Sequence, residues 1–256
     1  MCVSAQRGAF ARLAAILLFP LLLAGCMSSG ANVTMVDPGP DPYYVAMYGE
    51  QPNERFPLPA TDIRRVDPKY FRQQVRYPRW EKPGTVVVDT ANRFLYLVQE
   101  GGMAMRYGIG VGKQGLEFDG TAVVGRKAEW PRWTPTPNMI ARDPERNAQW
   151  AGGMEPGLTN PLGPRALYLY KNGNDTLFRI HGTSEPWSIG LAVSSGCIRL
   201  FNPDIIDLYG RVPVGAEVVV LQNEPVEPEL APAPDADARV PMAAAPAGVV
   251  RPVAAL

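Results

Sequence analysis

Residues 180–200 read IHGTSEPWSIGLAVSSGCIRL, and the rest of the chain falls into place around them. This stretch holds His181, the one histidine among 256 residues, and Cys197, with fifteen residues between the two. Cysteine attacks as its thiolate, and an ordinary thiol titrates near 8.5, so it needs a base or a positive neighbour. His181 is the only imidazole present to serve as that base. Ser194-Ser195-Gly196 leads directly into the cysteine. A glycine there permits a tight turn in which the amides of Gly196 and Cys197 aim at a developing oxyanion. Taken alone, a cysteine and a histidine at this separation are a weak signal.

Outward from this stretch the texture is β-rich. Residues 85–90 and 94–98 flank Ala91-Asn92-Arg93 as a hairpin, and 105–111, 166–170, 176–181 and 216–221 are further candidate strands. Glycines and prolines punctuate them at a spacing that suits a β-sandwich or barrel-like sheet, so the fold class is mainly β. His181 then falls at a strand end, firmly held and facing a cleft. After the cysteine, Asn202-Pro203-Asp204 opens one short helix, with Asn202 as N-cap, Ile205, Ile206, Leu208 and Tyr209 on its buried side and Gly210 at the C-cap. Asp204 complements the positive helix end, which explains it better than a catalytic role. Residues 113–165 read as strand-poor and contain Trp130, Trp133 and Trp150; such a stretch is a lid or binding loop. Its tryptophans either line a groove or pin the loop to the sheet.

The whole pattern resembles the catalytic core of the L,D-transpeptidases, the YkuD-type domain. The residues that carry the likeness are His181-Gly182-Thr183, Ser194-Ser195-Gly196-Cys197-Ile198-Arg199, the upstream run from Asn160 to Leu167, and Glu185-Pro186-Trp187-Ser188-Ile189-Gly190. The likeness spans 84–222 and implies that family's β-sandwich or barrel-like sheet with one short helix after the catalytic cysteine. Many members carry histidine where this chain has Ser195, but that histidine is not the family's base. The resemblance implies a cysteine acyltransferase acting on peptidoglycan stem tetrapeptides between the diamino acid at position three and the terminal D-alanine. Cys197 is the nucleophile and His181 the base, oriented by a main-chain carbonyl near Gly182; Gly196, Ser195 and Gly182 are the oxyanion and orienting group. Arg199, Thr183 and Trp187 are the candidate substrate-binding residues. Arg199, two positions past the nucleophile, faces the same side on extended chain. It binds a substrate carboxylate or lowers the thiol pKa, or else forms a salt bridge with Asp204. The acyl acceptor is a second stem peptide, giving a 3-3 cross-link, or a lysine of an envelope protein. Carbapenem sensitivity is implied as well. The rivals are a hydrolase of the same bond and a non-catalytic peptidoglycan-binding lipoprotein.

Twenty-five basic and twenty-five acidic residues give a formal net charge of zero, and without a basic run or matching motif no nucleic-acid partner is expected. No lysine-serine pair follows Gly108-Ile109-Gly110-Val111-Gly112, which reads as strand and not as a phosphate loop. One histidine and one free cysteine do not make a zinc site, and no cofactor is expected. Arg7 and Arg12 precede an apolar run, 13–24, that is too short to span a bilayer. It ends on Leu23-Ala24-Gly25-Cys26, which resembles a bacterial lipobox; this implies a signal peptide over 1–25 and a lipid anchor on Cys26, the alternative being an uncleaved anchor. Met27, where aspartate commonly marks inner-membrane retention, points to the outer membrane facing the periplasm. Cys2 then leaves with the signal and Cys26 is capped, so Cys197 is an unpaired thiol in an oxidising compartment. Residues 26–64, rich in Pro, Gly, Asp and Asn, read as a flexible linker. Residues 65–83 read as an extension packed on the domain, or as a wall contact through Arg72, Arg76 and Arg79. The Pro/Ala-rich tail, 223–256, buries too little apolar surface to offset its ordering entropy and reads as disordered.

Overall fold

The valines of 86–88 bury both faces of their strand, and the sheet is built outward from that fact. Val86 and Val88 join one cluster with Leu95, Leu97, Val218, Val220, Ile205 and Leu208. Val87 points the other way, into a cluster with Tyr96, Val98, Val75 and Tyr77. A strand covered on both sides reads as a continuous apolar run instead of an alternation. In the computed structural model, which describes residues 39–112, 120–192, 197–222 and Val226, this strand is β2 (Val86–Asp89).

Ten strands form one mixed sheet. Besides β2 they are β1 (Gln73–Arg76), β3 (Phe94–Gln99), β4 (Met103–Gly108), β5 (Gly110–Val111), β6 (Gly120–Glu129), β7 (Arg165–Lys171), β8 (Asn174–His181), β9 (Ile198–Arg199) and β10 (Glu217–Leu221). Their order is β1-β4-β3-β2-β10-β6-β7-β8-β9-β5. Only Ile109 separates β4 from β5, yet they lie near opposite ends of that order. The sheet therefore curls back on itself at this point. The Ile109 amide donates to Arg93 O and its carbonyl accepts from Gly190, tying both ends together. This is the barrel-like, mainly β fold that the sequence indicated. The expected hairpin is β2–β3, paired antiparallel with Val86 opposite Leu97.

Several expectations are corrected. The region 113–165 was expected to be strand-poor, but it contains β6, the longest strand, paired with β7 and β10. Only Ala122 and Val124 of β6 reach the core, so its alternation is faint. The linker expected over 26–64 does not extend to 64. Helix α1 (Pro42–Met47) opens a packed arm in which Met47, Tyr48, Ile63 and Val66 are buried with Phe71, Ile189 and Phe201. Tertiary contact, not local period, orders this arm. Beyond residue 65, Val66, Phe71 and Val75 are buried. Arg72 is buried and ion-paired to Asp207 at 3.1 Å, and Arg79 is paired to Glu81 at 3.0 Å, which takes both away from the wall-contact reading. At the other end, buried Val226 donates to Asp89 Oδ2 at 2.7 Å, so ordered packing passes the expected edge at 222. The rest of the tail and the signal and lipobox stretch lie outside the described residues. No helix among the described residues is long and apolar enough to cross a membrane.

The expected helix is α4 (Asn202–Arg211), but its ends differ. Phe201 is the N-cap and offers no side-chain bond, and the helix runs through Gly210 to Arg211, with Val212 as C-cap. Asn202 turns its Oδ1 away from the helix to accept the Thr183 amide at 2.9 Å. Asp204 sits in the first turn yet is fully buried, accepting from Tyr48 Oη at 3.1 Å. Burial pushes its carboxyl up to about 7 against the pull of Arg72.

Candidate active site

Strands β8 and β9 run parallel, with Ile180 opposite Ile198 and His181 opposite Arg199. Ile180 and Ile198 enter the core. Side chains alternate across a strand, so His181 and Arg199 share the opposite face. Cys197 immediately precedes β9 and lies level with Arg179, two positions short of Arg199 on the chain beside His181. His181 and Cys197 line one groove of about 830 Å³ together with Arg199, Glu185 and Thr183. The opposite wall comes from residues between Trp133 and Leu162, including α2 (Pro137–Arg142) and α3 (Pro144–Asn147).

His181 Nδ1 lies 2.5 Å from Gly182 O. A carbonyl oxygen only accepts, so in this contact Nδ1 carries the proton. Burial and the Arg199 charge push the imidazole down to about 3, against the Gly182 and Pro161 carbonyls. It is therefore neutral at physiological pH. Burial likewise pushes the Cys197 thiol up, opposed by the Arg179 main-chain amide and by the Arg179 and Arg199 charges. Both shifts favour the uncharged forms, a thiol and a neutral imidazole. Cys197 forms no disulfide among the described residues.

Gly182 explains how the strand end fits. A Cβ there would lie 2.5 Å from Asn202 Oδ1 and 2.9 Å from Pro164 Cδ. Glycine thus lets α4 and the 160–164 turn close behind the imidazole. Asn160 fixes that turn, accepting from the Leu162 amide at 2.9 Å and donating to the carbonyls of Pro131 and Glu155.

A family profile described as the YkuD L,D-transpeptidase catalytic domain matches residues 83–220. The chain belongs to the L,D-transpeptidase family. It is 32% identical over 223 residues to "Probable L,D-transpeptidase ErfK/SrfK" of Escherichia coli K12, covering 82% of this chain and 69% of that protein. With "Probable L,D-transpeptidase YbiS" of the same strain it shares 35% identity over 157 residues, covering 60% of this chain and about half, 49%, of the relative. A crystal structure from Brucella melitensis, bearing the name of a probable carnitine operon oxidoreductase, is 52% identical and covers 62% of this chain and 99% of that one, with a TM-score of 0.44.

The sequence-derived site residues occupy distinct places. Cys197, His181, Arg199 and Thr183 meet in the groove, and Gly182 supplies the carbonyl against His181. Thr183 Oγ1 accepts the Glu185 amide at 2.9 Å, so its hydroxyl also builds the turn. Trp187 is 58% exposed and does not line the groove. Ser195 and Gly196, and Cys26, lie outside the described residues. Arg199 makes its ion pair with Glu185, at 2.7 Å, and not with Asp204. Glu185 also meets Arg146 of α3 at 3.3 Å, linking the two groove walls. The tryptophans divide: Trp133 and Trp150 line the groove, whereas buried Trp130 donates to Glu54 Oε2 at 2.9 Å and pins the loop to the N-terminal arm. Sequence reasoning missed Glu185 as the partner of Arg199; its only trace was a lone acid between the two halves of the motif. Among the described residues, no three His, Cys, Asp or Glu side chains cluster as a metal site.

Proposed function

We propose that this chain is a cysteine-dependent L,D-transpeptidase acting on peptidoglycan stem tetrapeptides. The observation that carries the reading is His181, with Nδ1 set against Gly182 O, in the same groove as Cys197. Sγ attacks the carbonyl of the diamino acid while Nε2 takes the thiol proton; collapse of the adduct breaks the peptide bond, and the imidazolium returns that proton to the departing D-alanine amine. The thioester is then opened by an acceptor amine, whose proton passes to Nε2 as sulfur leaves. Amides at Gly196 and Cys197 are the proposed oxyanion donors. The acceptor is a second stem peptide or a lysine of an envelope protein, and the enzyme works in the periplasm, anchored through a lipid on Cys26 to the outer membrane.

Incubation with tetrapeptide and, separately, with a carbapenem tests this reading. Intact mass should rise by one drug molecule, and both the adduct and tetrapeptide turnover should vanish in Cys197→Ala. A folded Cys197→Ala protein that still releases D-alanine would refute it.

A further inference from the structure

The catalytic strand carries an irregularity that the proposed chemistry does not use. Between Tyr168↔Arg179 and Tyr170↔Asp175 the β7–β8 register shifts, so 176–178 of β8 face the single residue Leu169. Leu177 sits at the apex with φ of 64°, a left-handed conformation that a branched apolar residue rarely adopts. Side chains take over the hydrogen bonds that the ladder loses here. Thr176 Oγ1 donates to Leu169 O at 2.7 Å and accepts the Phe178 amide at 3.2 Å. Asp175 Oδ1 accepts the Leu177 amide at 2.8 Å while both its oxygens hold the Arg179 guanidinium, at 2.7 and 2.8 Å. The strained turn is thus fixed from three sides.

Nothing in the core rewards that strain. The Leu177 side chain is 63% exposed, and it lines the same groove as Cys197 and His181. A bulge of this kind re-aims a side chain, and strain that the surroundings maintain marks a functional position. Arg179 on β8 lies level with Cys197, and Leu177, two positions before it, lines the same groove. Phe178 and Met139 add apolar surface to the groove, whereas Arg199, Glu185, Arg142, Asp143 and Arg146 supply its charge.

We propose that Leu177 is a specificity-determining residue, held in a left-handed bulge so that its side chain contacts the hydrocarbon stem of the substrate diamino acid. This rests on the transpeptidase reading and assigns one of its contacts. The test compares wild type, Leu177→Gly and Leu177→Asn as full-length proteins on tetrapeptide. Glycine relieves the strain and asparagine tolerates it, while both remove the apolar contact. KM should rise about tenfold in both variants with kcat within about twofold. The Tm of Leu177→Gly should stand at or about 2–4 °C above wild type. A merely structural leucine would move stability and turnover down together, and that pattern, or an unchanged KM, overturns the proposal. Cys197→Ala in the same assay separates the two readings, because residual turnover there would refute the transpeptidase chemistry and not the bulge.

Discussion

Replacing His181 by Asn should change how stability depends on pH, by an amount the structure fixes. The imidazole titrates near 6.5 when unfolded and is pushed down to about 3 by burial and by Arg199. Between those values the unfolded chain binds a proton that the folded protein refuses, so stability falls as pH drops below 6.5 and keeps falling until 3. Linkage gives a loss of about 2 kcal/mol at pH 5 relative to pH 7.5 from this one group. Asp204, lifted to about 7, works in the opposite sense over the same range, but equally in wild type and variant. The comparison therefore isolates the imidazole. Asn keeps a donor for the Gly182 carbonyl, which limits the cost of the substitution itself.

Urea unfolding of both proteins at pH 7.5 and pH 5 is the assay. With a slope of about 2 kcal/mol per molar urea, wild type should lose about 1 M more in midpoint than His181→Asn over that interval. Because the chain has a single histidine, the carbon-13 signal of its ring in untagged protein reports the same titration directly. A midpoint difference that does not change with pH, together with a ring titrating near 6.5, would refute the burial argument. The neutral-base mechanism would lose its footing with it.

Two further substitutions probe the groove and its support. Glu185→Gln removes the carboxylate that neutralises Arg199 at 2.7 Å, so the Cys197 thiol, which Arg199 already pulls down, should titrate lower; alkylation of Cys197 as a function of pH should shift its midpoint downward, and an unchanged midpoint would mean the pair is screened. Asn202→Ala strands the Thr183 amide that Oδ1 accepts at 2.9 Å, and should cost about 1–3 kcal/mol in urea unfolding, with a loss in kcat as the turn behind His181 loosens.

What the sequence made legible was local. The β2–β3 hairpin follows from two valine- and leucine-rich runs around Asn92, whose amide donates to Asp89 Oδ1, a bond three residues long. The His181 and Cys197 motifs stand at strand ends because apolar runs lead into or out of them. What stayed hidden depended on partners far along the chain. Asn202 has the look of a helix cap, and no local rule shows that its oxygen is claimed by Thr183, nineteen residues upstream. The arm at 42–66 has no period because Tyr48 is ordered by Phe71, Phe201 and Asp204, the last of them 156 residues away. Thr176-Leu177-Phe178 reads as plain strand, and only its pairing with Leu169 reveals three residues where one belongs. That last case has a direction to it. An alternation of residues specifies which face of a strand is buried, and a bulge is where the pairing overrides that alternation. Sequence patterning therefore fails first at the positions where a strand has been bent to serve something other than the core, and on β8 that position lies four residues before His181.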